Sequence, residues 1–341
     1  MRQSLYRAYR PATFKEVRGQ EQITSALSES IKAGKVGHAY LFAGSRGLGK
    51  TSIARIFARE LKVADSDLYE IDAASHTGVD NIRSLTENVY TLPFESPYKF
   101  YILDEAHMLS KSAWNAFLKT LEEPPAHAIF VLATTELDKV PDTVQSRCQV
   151  FEFKKPSREG LAQLVTDVAK NEGYTIEKSA ADLVALLADG SYRDALSVLE
   201  RVLSSSADTT LTREEAEKAT GAPKSALVHA FVSALSKADA NEALGAVRTA
   251  SGQGVDMALY LSLVIEYVRN VLLVRHAPEL RAVLKEELGE GYGEVESLAE
   301  AESTLSHRTL KALLDAAASV RYSPVASLPL ELAVLELTET A

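Results

Sequence analysis

The stretch Ala39-Tyr40-Leu41-Phe42-Ala43-Gly44-Ser45-Arg46-Gly47-Leu48-Gly49-Lys50-Thr51 begins with five apolar residues and runs into a glycine-rich turn. Residues 44–51 match G-x-x-x-x-G-K-[ST], in which glycines let backbone N–H groups turn toward phosphate. The loop requires a strand before it and a helix after it, and Ala39–Ala43 and Thr51–Leu61 supply both patterns. The stretch therefore predicts an α/β sheet with a nucleotide site. A chance glycine-rich turn is the alternative, and both flanks disfavour it.

The loop assigns roles to individual residues. Lys50 is expected to bridge the β- and γ-phosphates, and Thr51 is expected to ligate Mg²⁺ through its hydroxyl. The positive end of the following helix adds to phosphate binding. The predicted phosphate contacts are Gly44, Ser45, Arg46, Gly47, Leu48, Gly49, Lys50, Thr51 and Ser52.

A second acidic motif, Phe100-Tyr101-Ile102-Leu103-Asp104-Glu105, completes the predicted site. Its apolar residues predict a buried strand whose carboxyl end carries Asp104, where open α/β sheets bind ligands. We expect Asp104 to hold Mg²⁺ through water and Glu105 to orient or deprotonate the attacking water. Thr134 and Thr135 follow another apolar run, so their hydroxyls are expected near the nucleotide.

Residues 104–107 also spell DEAH, a tetrapeptide found in one class of helicases. The further motifs of that class are not apparent in the sequence. His107 is interpreted as a residue at a helix start rather than a catalytic one.

The first half of the chain alternates apolar runs with helical periodicity, which favours βαβ units and a parallel sheet. Ile23, Leu27 and Ile31 share one helical spacing, and Ile53, Phe57 and Leu61 share another. The predicted strands are His38–Ala43, Leu68–Ile71, Phe100–Leu103, Ile129–Ala133 and Val150–Phe153.

Beyond residue 155 the strand-like runs stop and helical patterns continue. Residues 204–210 are predicted to form a linker, and Thr212 with Glu215 forms a capping-box pattern. The acid-rich piece 285–302 is predicted to be a surface loop with a weak helix. Three domains are expected from these patterns: an α/β domain over 1–155, a small helical domain over 156–206 and an all-helical domain over 207–341.

Composition limits the class of protein. Of 341 residues, 46% are hydrophobic and 25% charged, and the net charge is −10, which argues against broad coating of nucleic acid. No apolar run was expected to reach the roughly 20 residues of a membrane span, and the amino terminus lacks a secretory pattern. The single cysteine, Cys148, excludes an intrachain disulfide. A cytoplasmic protein that does not contact membranes is the expectation.

Several segments together resemble one family, the bacterial DNA polymerase III gamma/tau subunits, which are AAA+ clamp-loader ATPases. The matches run in the family's order over roughly residues 5–200, and the helical remainder is similar to the family's collar in length and pattern. The matching segments are Leu5–Pro11, Phe14, Gly19–Glu21, Ile71–Ser75, Leu118–Pro125, Ser146–Cys148 and Gly190–Leu196.

The resemblance implies that 1–155 is a RecA-like ATPase domain, 156–206 a helical lid and 207–341 a helical collar for oligomerisation. It also implies further site residues. Thr135 would be sensor 1, Arg193 would be sensor 2, and Arg147 would be an arginine finger acting in the neighbouring subunit's site. An arginine supplied in trans makes hydrolysis depend on assembly. For Arg147 the alternative is a surface ion pair worth under about 1 kcal/mol. The opening segment would lie against the adenine through Tyr9, Arg10, Pro11 and Val17.

The sequence departs from the family in two places. Gamma/tau subunits usually carry a four-cysteine zinc module after the phosphate-loop helix, whereas here only residues 63–67 precede the next strand, so no zinc is expected. Basic residues that face DNA in the family are also sparse. The remaining candidates for DNA contact are His76, Arg83, Lys111 and Lys119.

The resemblance implies a subunit that uses ATP and Mg²⁺ to load a sliding clamp onto primer–template DNA. Its expected partners are copies of itself, delta and delta-prime subunits, the clamp and DNA. A replication factor C small subunit of the archaeal or eukaryotic type is the nearest alternative. A silent delta-prime-like scaffold would require a broken phosphate loop. A helicase or Holliday-junction motor is a third class.

Overall fold

The computed structural model describes residues 3–75, 79–206, 208–288 and 291–339. Internal contacts divide the chain into two compact units. The first unit comprises Met1–Val168 and Val184–Glu200, and the second comprises Ala169–Leu183 and Arg201–Ala341. The expected three-domain boundaries at 155/156 and 206/207 stay a prediction.

The first unit is built on a five-stranded parallel sheet with the strand order β2-β3-β4-β1-β5. Each strand predicted from the apolar runs is present within two residues at each end. A parallel sheet with helices on both faces confirms the predicted α/β class of this unit. The strands are β1 (Ala39–Ala43), β2 (Leu68–Asp72), β3 (Lys99–Asp104), β4 (Ala128–Thr134) and β5 (Gln149–Glu152).

Helices cover both faces of this sheet because successive strand residues point to opposite sides. On β3, Phe100 and Ile102 pack with two helices, α2 (Glu21–Lys32) and α3 (Lys50–Glu60). Tyr101 and Leu103 pack on the other face with α4 (Val79–Val89) and α5 (Lys111–Glu122). The predicted helical spacings are confirmed, since Leu27 and Phe57 are buried in the first of these layers. The helices that begin in this unit are α1 (Leu5–Ala8), α2 (Glu21–Lys32), α3 (Lys50–Glu60), α4 (Val79–Val89), α5 (Lys111–Glu122), α6 (Asp142–Gln145), α7 (Arg158–Asn171) and α9 (Tyr192–Ser205), with α8 (Lys178–Leu187) shared between the units.

The second unit is helical apart from a parallel pair of two-residue strands, β6 (Thr175–Ile176) and β7 (Thr210–Leu211). Two expectations for this region were wrong. The described part of 204–210 is not a free linker, because Ser204 and Ser205 end a helix and the Thr175 amide donates to the Thr209 carbonyl at 2.8 Å. In the acid-rich piece, residues 285–288 and 292–300 are helical where mostly loop was expected, and Tyr292, Val295 and Leu298 give the second of these helices a buried face. The remaining helices are α10 (Arg213–Thr220), α11 (Ser225–Ser236), α12 (Ala240–Gly252), α13 (Met257–His276), α14 (Arg281–Leu288), α15 (Tyr292–Glu300), α16 (His307–Val320) and α17 (Leu328–Glu339).

Helix α13 corrects the expectation that no apolar stretch is long enough to span a membrane. The helix has 20 residues and contains an 18-residue window with a mean hydropathy of 1.6, which meets that criterion by length and composition. In the structure it packs against α11, α15 and α16, and Tyr260, Val264 and Val268 are fully buried. A long core helix passes the same test, and α13 has that role here. The predicted capping box at the start of α10, Thr212 with Glu215, is confirmed.

A buried carboxylate fixes the loop between α4 and β3. Asp67 is fully buried and accepts hydrogen bonds from the amides of Phe94, Glu95 and Ser96 at 2.6, 3.0 and 2.9 Å. Burial by itself would raise the pKa of Asp67, but these amides outweigh it and lower the pKa to about 2. Lys99, also buried, donates to the Asn88 carbonyl at the end of α4 at 3.0 Å and to the Thr91 hydroxyl in the loop.

The Asp67→Asn variant should be less stable than the wild type at neutral pH by about 1–3 kcal/mol, because an amide accepts fewer hydrogen bonds and carries no charge. A lowered native pKa contributes stability above the unfolded value near 4, and this contribution disappears as the pH falls toward 2. Urea unfolding between pH 7 and pH 3 should therefore show a constant difference above about pH 5 and a shrinking one below about pH 4. The exposed Asp65→Asn is the matched control. A difference that does not vary with pH would contradict the charge argument.

Candidate functional site

The glycine-rich loop lies between β1 and α3 and adopts backbone conformations that favour glycine. The φ angles of Gly44, Gly47 and Gly49 are +148°, +79° and +94°. A Cβ on Gly47 would lie 2.0 Å from the Ser191 hydroxyl oxygen, so a side chain there requires the neighbouring segment to move. The loop is thus both turned as a phosphate cradle requires and closely covered by residues 191–193.

Lys50 places a buried cation at the base of this loop. Its side chain is 6% exposed, and Nζ donates to the carbonyls of Gly44 at 2.6 Å and Ser45 at 3.0 Å. Burial lowers the pKa of Lys50, while the carboxylates of Glu105 and Asp104 raise it. The loop therefore carries its own positive charge close to two acidic groups.

Thr51 and Asp104 meet across the site, as the sequence predicted for a shared Mg²⁺. The Thr51 hydroxyl donates to Oδ2 of Asp104 at 2.7 Å. Mg²⁺ takes hard oxygen ligands and is usually held by one or two carboxylates together with substrate phosphates, so this pair fits it. Among the described residues, no group of three or more His, Cys, Asp or Glu forms a closed metal cage. The expectation of no zinc stays a prediction.

Glu105 lies one residue beyond the strand end in a strained conformation. Its φ of +49° is unusual for a residue with a side chain and turns the chain sharply after β3. The Thr135 hydroxyl donates to Oε2 of Glu105 at 3.0 Å. The structure thus brings together the residues predicted as the general base and sensor 1, which were 30 positions apart.

His107 has contacts that the sequence did not reveal. It lies in a short 3-10 helix with its side chain only 6% exposed. Its Nδ1 is 3.1 Å from the Thr134 hydroxyl and 3.6 Å from Oε2 of Glu105, and its Nε2 is 3.3 Å from Oε1 of Glu136. The interpretation as a helix-start residue is therefore incomplete. The DEAH tetrapeptide placed His107 near Glu105 in the sequence. Glu136 follows a different strand, so its contact with His107 could not be predicted from that motif.

The amino-terminal segment packs against the start of α9. The Tyr192 hydroxyl donates to the Arg18 carbonyl at 2.8 Å, and the Arg193 guanidinium carbon lies 4.8 Å from the Tyr6 ring centre. Tyr6 and Tyr192 have no role that can be predicted from the sequence, because a single aromatic residue carries no specific signal. Arg193 nevertheless lies beside the loop, because its Cβ is 3.4 Å from the position that a Cβ on Gly47 would occupy.

Of the residues predicted to lie against the adenine, Arg10 contacts helix α3, which follows the glycine-rich loop. Its Nε donates to the Ser52 hydroxyl at 2.8 Å. Burial lowers the pKa of Arg10, and repulsion from Arg55 lowers it further. The carboxylates of Glu70 and Asp104 act in the opposite sense and raise it. Tyr9, Pro11 and Val17 are half-buried, whereas Arg46 is exposed on the loop.

Arg147 lies just beyond α6 and is 34% exposed. Its Nη2 donates to Glu122 and its Nη1 to the Thr143 carbonyl, each at 2.6 Å. The surface ion pair that was the alternative for Arg147 is therefore present. The role of Arg147 as an arginine finger in trans stays a prediction.

The predicted DNA contacts are placed on the helices of one sheet face. Arg83 is exposed on α4, and Lys111 and Lys119 are exposed on α5. Helices α4 and α5 pack against each other. His76 lies outside the described residues. The contact of these residues with DNA stays a prediction.

Three family models match the chain in succession. DNA polymerase III, delta subunit, matches residues 19–72 and 62–157. The ATPase lid domain of the DNA polymerase III clamp loader subunit matches residues 161–208. Domain III of the DNA polymerase III subunits gamma and tau matches residues 211–341.

Solved structures show the same fold. A single-residue variant of RuvB from Thermotoga maritima aligns with a TM-score of 0.55 at 20% identity, over 85% of this chain and 90% of that chain. The RuvB Holliday junction branch migration motor of the same organism aligns with a TM-score of 0.54, also at 20% identity, over 86% of this chain and 89% of that chain. At this identity the likeness establishes architecture only.

Curated relatives resemble the chain much more closely in sequence. DNA polymerase III subunit tau of Bacillus subtilis (strain 168) is 40% identical over 83% of this chain and 54% of its own length. Subunit gamma/tau of Mycobacterium bovis is 38% identical over 81% of this chain and 52% of its own length. Subunit tau of Escherichia coli (strain K12) is 35% identical over 81% and 46%. The chain spans about half the length of these relatives, and it belongs to the gamma/tau family of DNA polymerase III subunits.

Proposed function

We propose that this protein is the ATPase subunit of a bacterial clamp loader, which uses ATP to place a sliding clamp on primer–template DNA. The observation that carries the proposal is the set of contacts at the carboxyl ends of β1, β3 and β4. There, Lys50 lies at the loop base, Thr51 bonds Asp104, and Thr135 bonds Glu105. Membership of the gamma/tau family supplies the biological context.

The site's residues divide the work of hydrolysis. Lys50 and the loop amides bind the triphosphate, and Thr51 and Asp104 would hold Mg²⁺. When bound, the metal neutralises charge that develops on the phosphate oxygens. Glu105 orients the attacking water and accepts its proton, while Thr135 holds the carboxylate of Glu105 from the adjacent strand.

The remaining site residues contact the nucleotide from other sides, and one of them makes activity depend on assembly. Arg193 contacts the nucleotide from the lid, Arg10 and the half-buried Tyr9, Pro11 and Val17 line the base side, and Arg147 completes a neighbouring chain's site. The partners are further copies of this chain, delta and delta-prime subunits, the clamp and DNA, all in the cytoplasm.

Exposed apolar side chains in the second unit support an assembly role. On α16, α17 and the turn between them, Leu314, Tyr322, Val325 and Leu332 are 55%, 87%, 53% and 56% exposed. Helices α16 and α17 pack against each other, and apolar side chains exposed together on neighbouring elements mark surfaces that bind other proteins. This surface is consistent with the predicted collar.

Chains carrying Lys50→Ala or Arg147→Ala test the shared site. Lys50→Ala should lose binding of ATP with Mg²⁺, because the buried cation is removed. Arg147→Ala should bind ATP normally, yet an assembly made only of this variant should hydrolyse it about 10³-fold or more slowly, because transition-state charge is left uncompensated. Steady-state hydrolysis with clamp and primed DNA, and nucleotide binding by fluorescence, are the measurements. Unchanged turnover by an all-Arg147→Ala assembly would rule out the trans role.

His107→Ala should reduce kcat about tenfold and change the KM for ATP less than twofold, because Glu105 loses a neighbour that orients it while phosphate binding is untouched. His107→Asn retains a polar group and should recover part of the rate. The exposed His38→Ala serves as the control. A rise in KM without a fall in kcat would show that His107 acts on binding instead.

A further inference from the structure

Both terminal nitrogens of Arg147 bond within its own chain. Nη2 donates to Oε1 of Glu122 and Nη1 donates to the carbonyl of Thr143, each at 2.6 Å. These are the donors that an arginine uses to contact phosphate oxygens. The Glu122 carboxylate and an incoming phosphate therefore compete for the same group.

The position of Glu122 is electrostatically costly. It is the last residue of α5, at the end where the helix dipole is negative and an acidic side chain is disfavoured. The cation of Arg147 offsets this cost. The ion pair with Arg147 therefore stabilises a carboxylate at a helix end where the dipole disfavours it.

The pair is also easy to exchange. The side chains of Arg147 and Glu122 are 34% and 51% exposed, so water and salt screen their attraction. An exposed pair of this kind shifts an equilibrium by no more than about fivefold. A triphosphate carries several negative charges and can displace a single carboxylate from the guanidinium.

Helix α5 connects this pair to the chain's own nucleotide site. It begins at Lys111, shortly after the turn that carries Asp104 and Glu105, and ends at Glu122. Its Ser110 cap accepts a hydrogen bond from the Ala113 amide at 3.2 Å, which fixes the end near the site. One rigid helix of about 18 Å therefore separates the acidic motif from the residue that holds Arg147.

We propose that Glu122 is a positioning residue that retains Arg147 on its own chain and releases it to the neighbour's triphosphate when two chains dock. The proposal rests on the proposed function, because it takes Arg147 as the residue supplied in trans. Removing the carboxylate makes Arg147 more available and favours docking, without altering the chemistry at the docked site.

A mixed assembly separates the two chains' contributions. The acceptor is the Arg147→Ala chain, which keeps its own site intact but offers no arginine. The donor is the Lys50→Ala chain, which keeps Arg147 but cannot hold ATP. Donor chains with Lys50→Ala alone, or with Glu122→Gln or Glu123→Gln in addition, are titrated into a fixed amount of acceptor while hydrolysis is followed. Glu122 and Glu123 are adjacent and exposed, so the control carries the same charge change.

The donor with Glu122→Gln should reach half-maximal stimulation at a concentration about two- to fivefold lower than the Lys50→Ala donor, with the same plateau. The Glu123→Gln donor should match the Lys50→Ala donor. A lower plateau, or a higher half-maximal concentration, would show that Glu122 aligns the arginine rather than restrains it and would overturn the proposal. Equal titrations for all three donors would also overturn it. Failure of every donor to stimulate would instead refute the trans role of Arg147 itself.

Discussion

The hydrogen bond between Thr51 and Asp104 joins residues 53 positions apart, and the rest of the site is arranged around it. It forms because β1 and β3 run parallel on either side of β4, so their carboxyl ends lie at one edge of the sheet. The glycine-rich loop follows the first of these strands and the acidic motif follows the other. A sheet of any other strand direction would separate the hydroxyl from the carboxylate.

Cations are gathered at the candidate site although the chain as a whole is acidic. The chain carries a formal charge of −10, yet Lys50 is buried at the loop, Arg10 reaches Ser52 and Arg193 lies above Tyr6. Local cations act on phosphate over about 10 Å, so an acidic protein can still present a local surface that attracts phosphate. The same short range explains why net charge does not decide where DNA binds.

The two units use burial differently. In the first unit, aromatic side chains such as Tyr101 and Phe130 stack along the sheet, 5.2 Å between ring centres, and hold the strand ends in register. In the second, α13 is an apolar core helix, and Arg275 at its end donates to the carbonyls of Leu298, Ala299 and Leu305, each at 3.0 Å. The sheet of the first unit therefore positions the candidate site, whereas the second unit presents the outer faces of its helices.

The strands of the sheet, the phosphate loop and the acidic motif were all determined by the sequence alone, because apolar periodicity and glycine spacing are local properties. Family resemblance further singled out Thr135, Arg147 and Arg193. Tertiary structure decided which side chains meet. The contacts of His107 with Glu136, of Tyr192 with Arg18 and of Arg147 with Glu122 each join distant segments. The helical face of Tyr292 and the buried role of α13 also depend on neighbours that no local pattern specifies. Local propensity determines an element, but packing across the fold determines its partners.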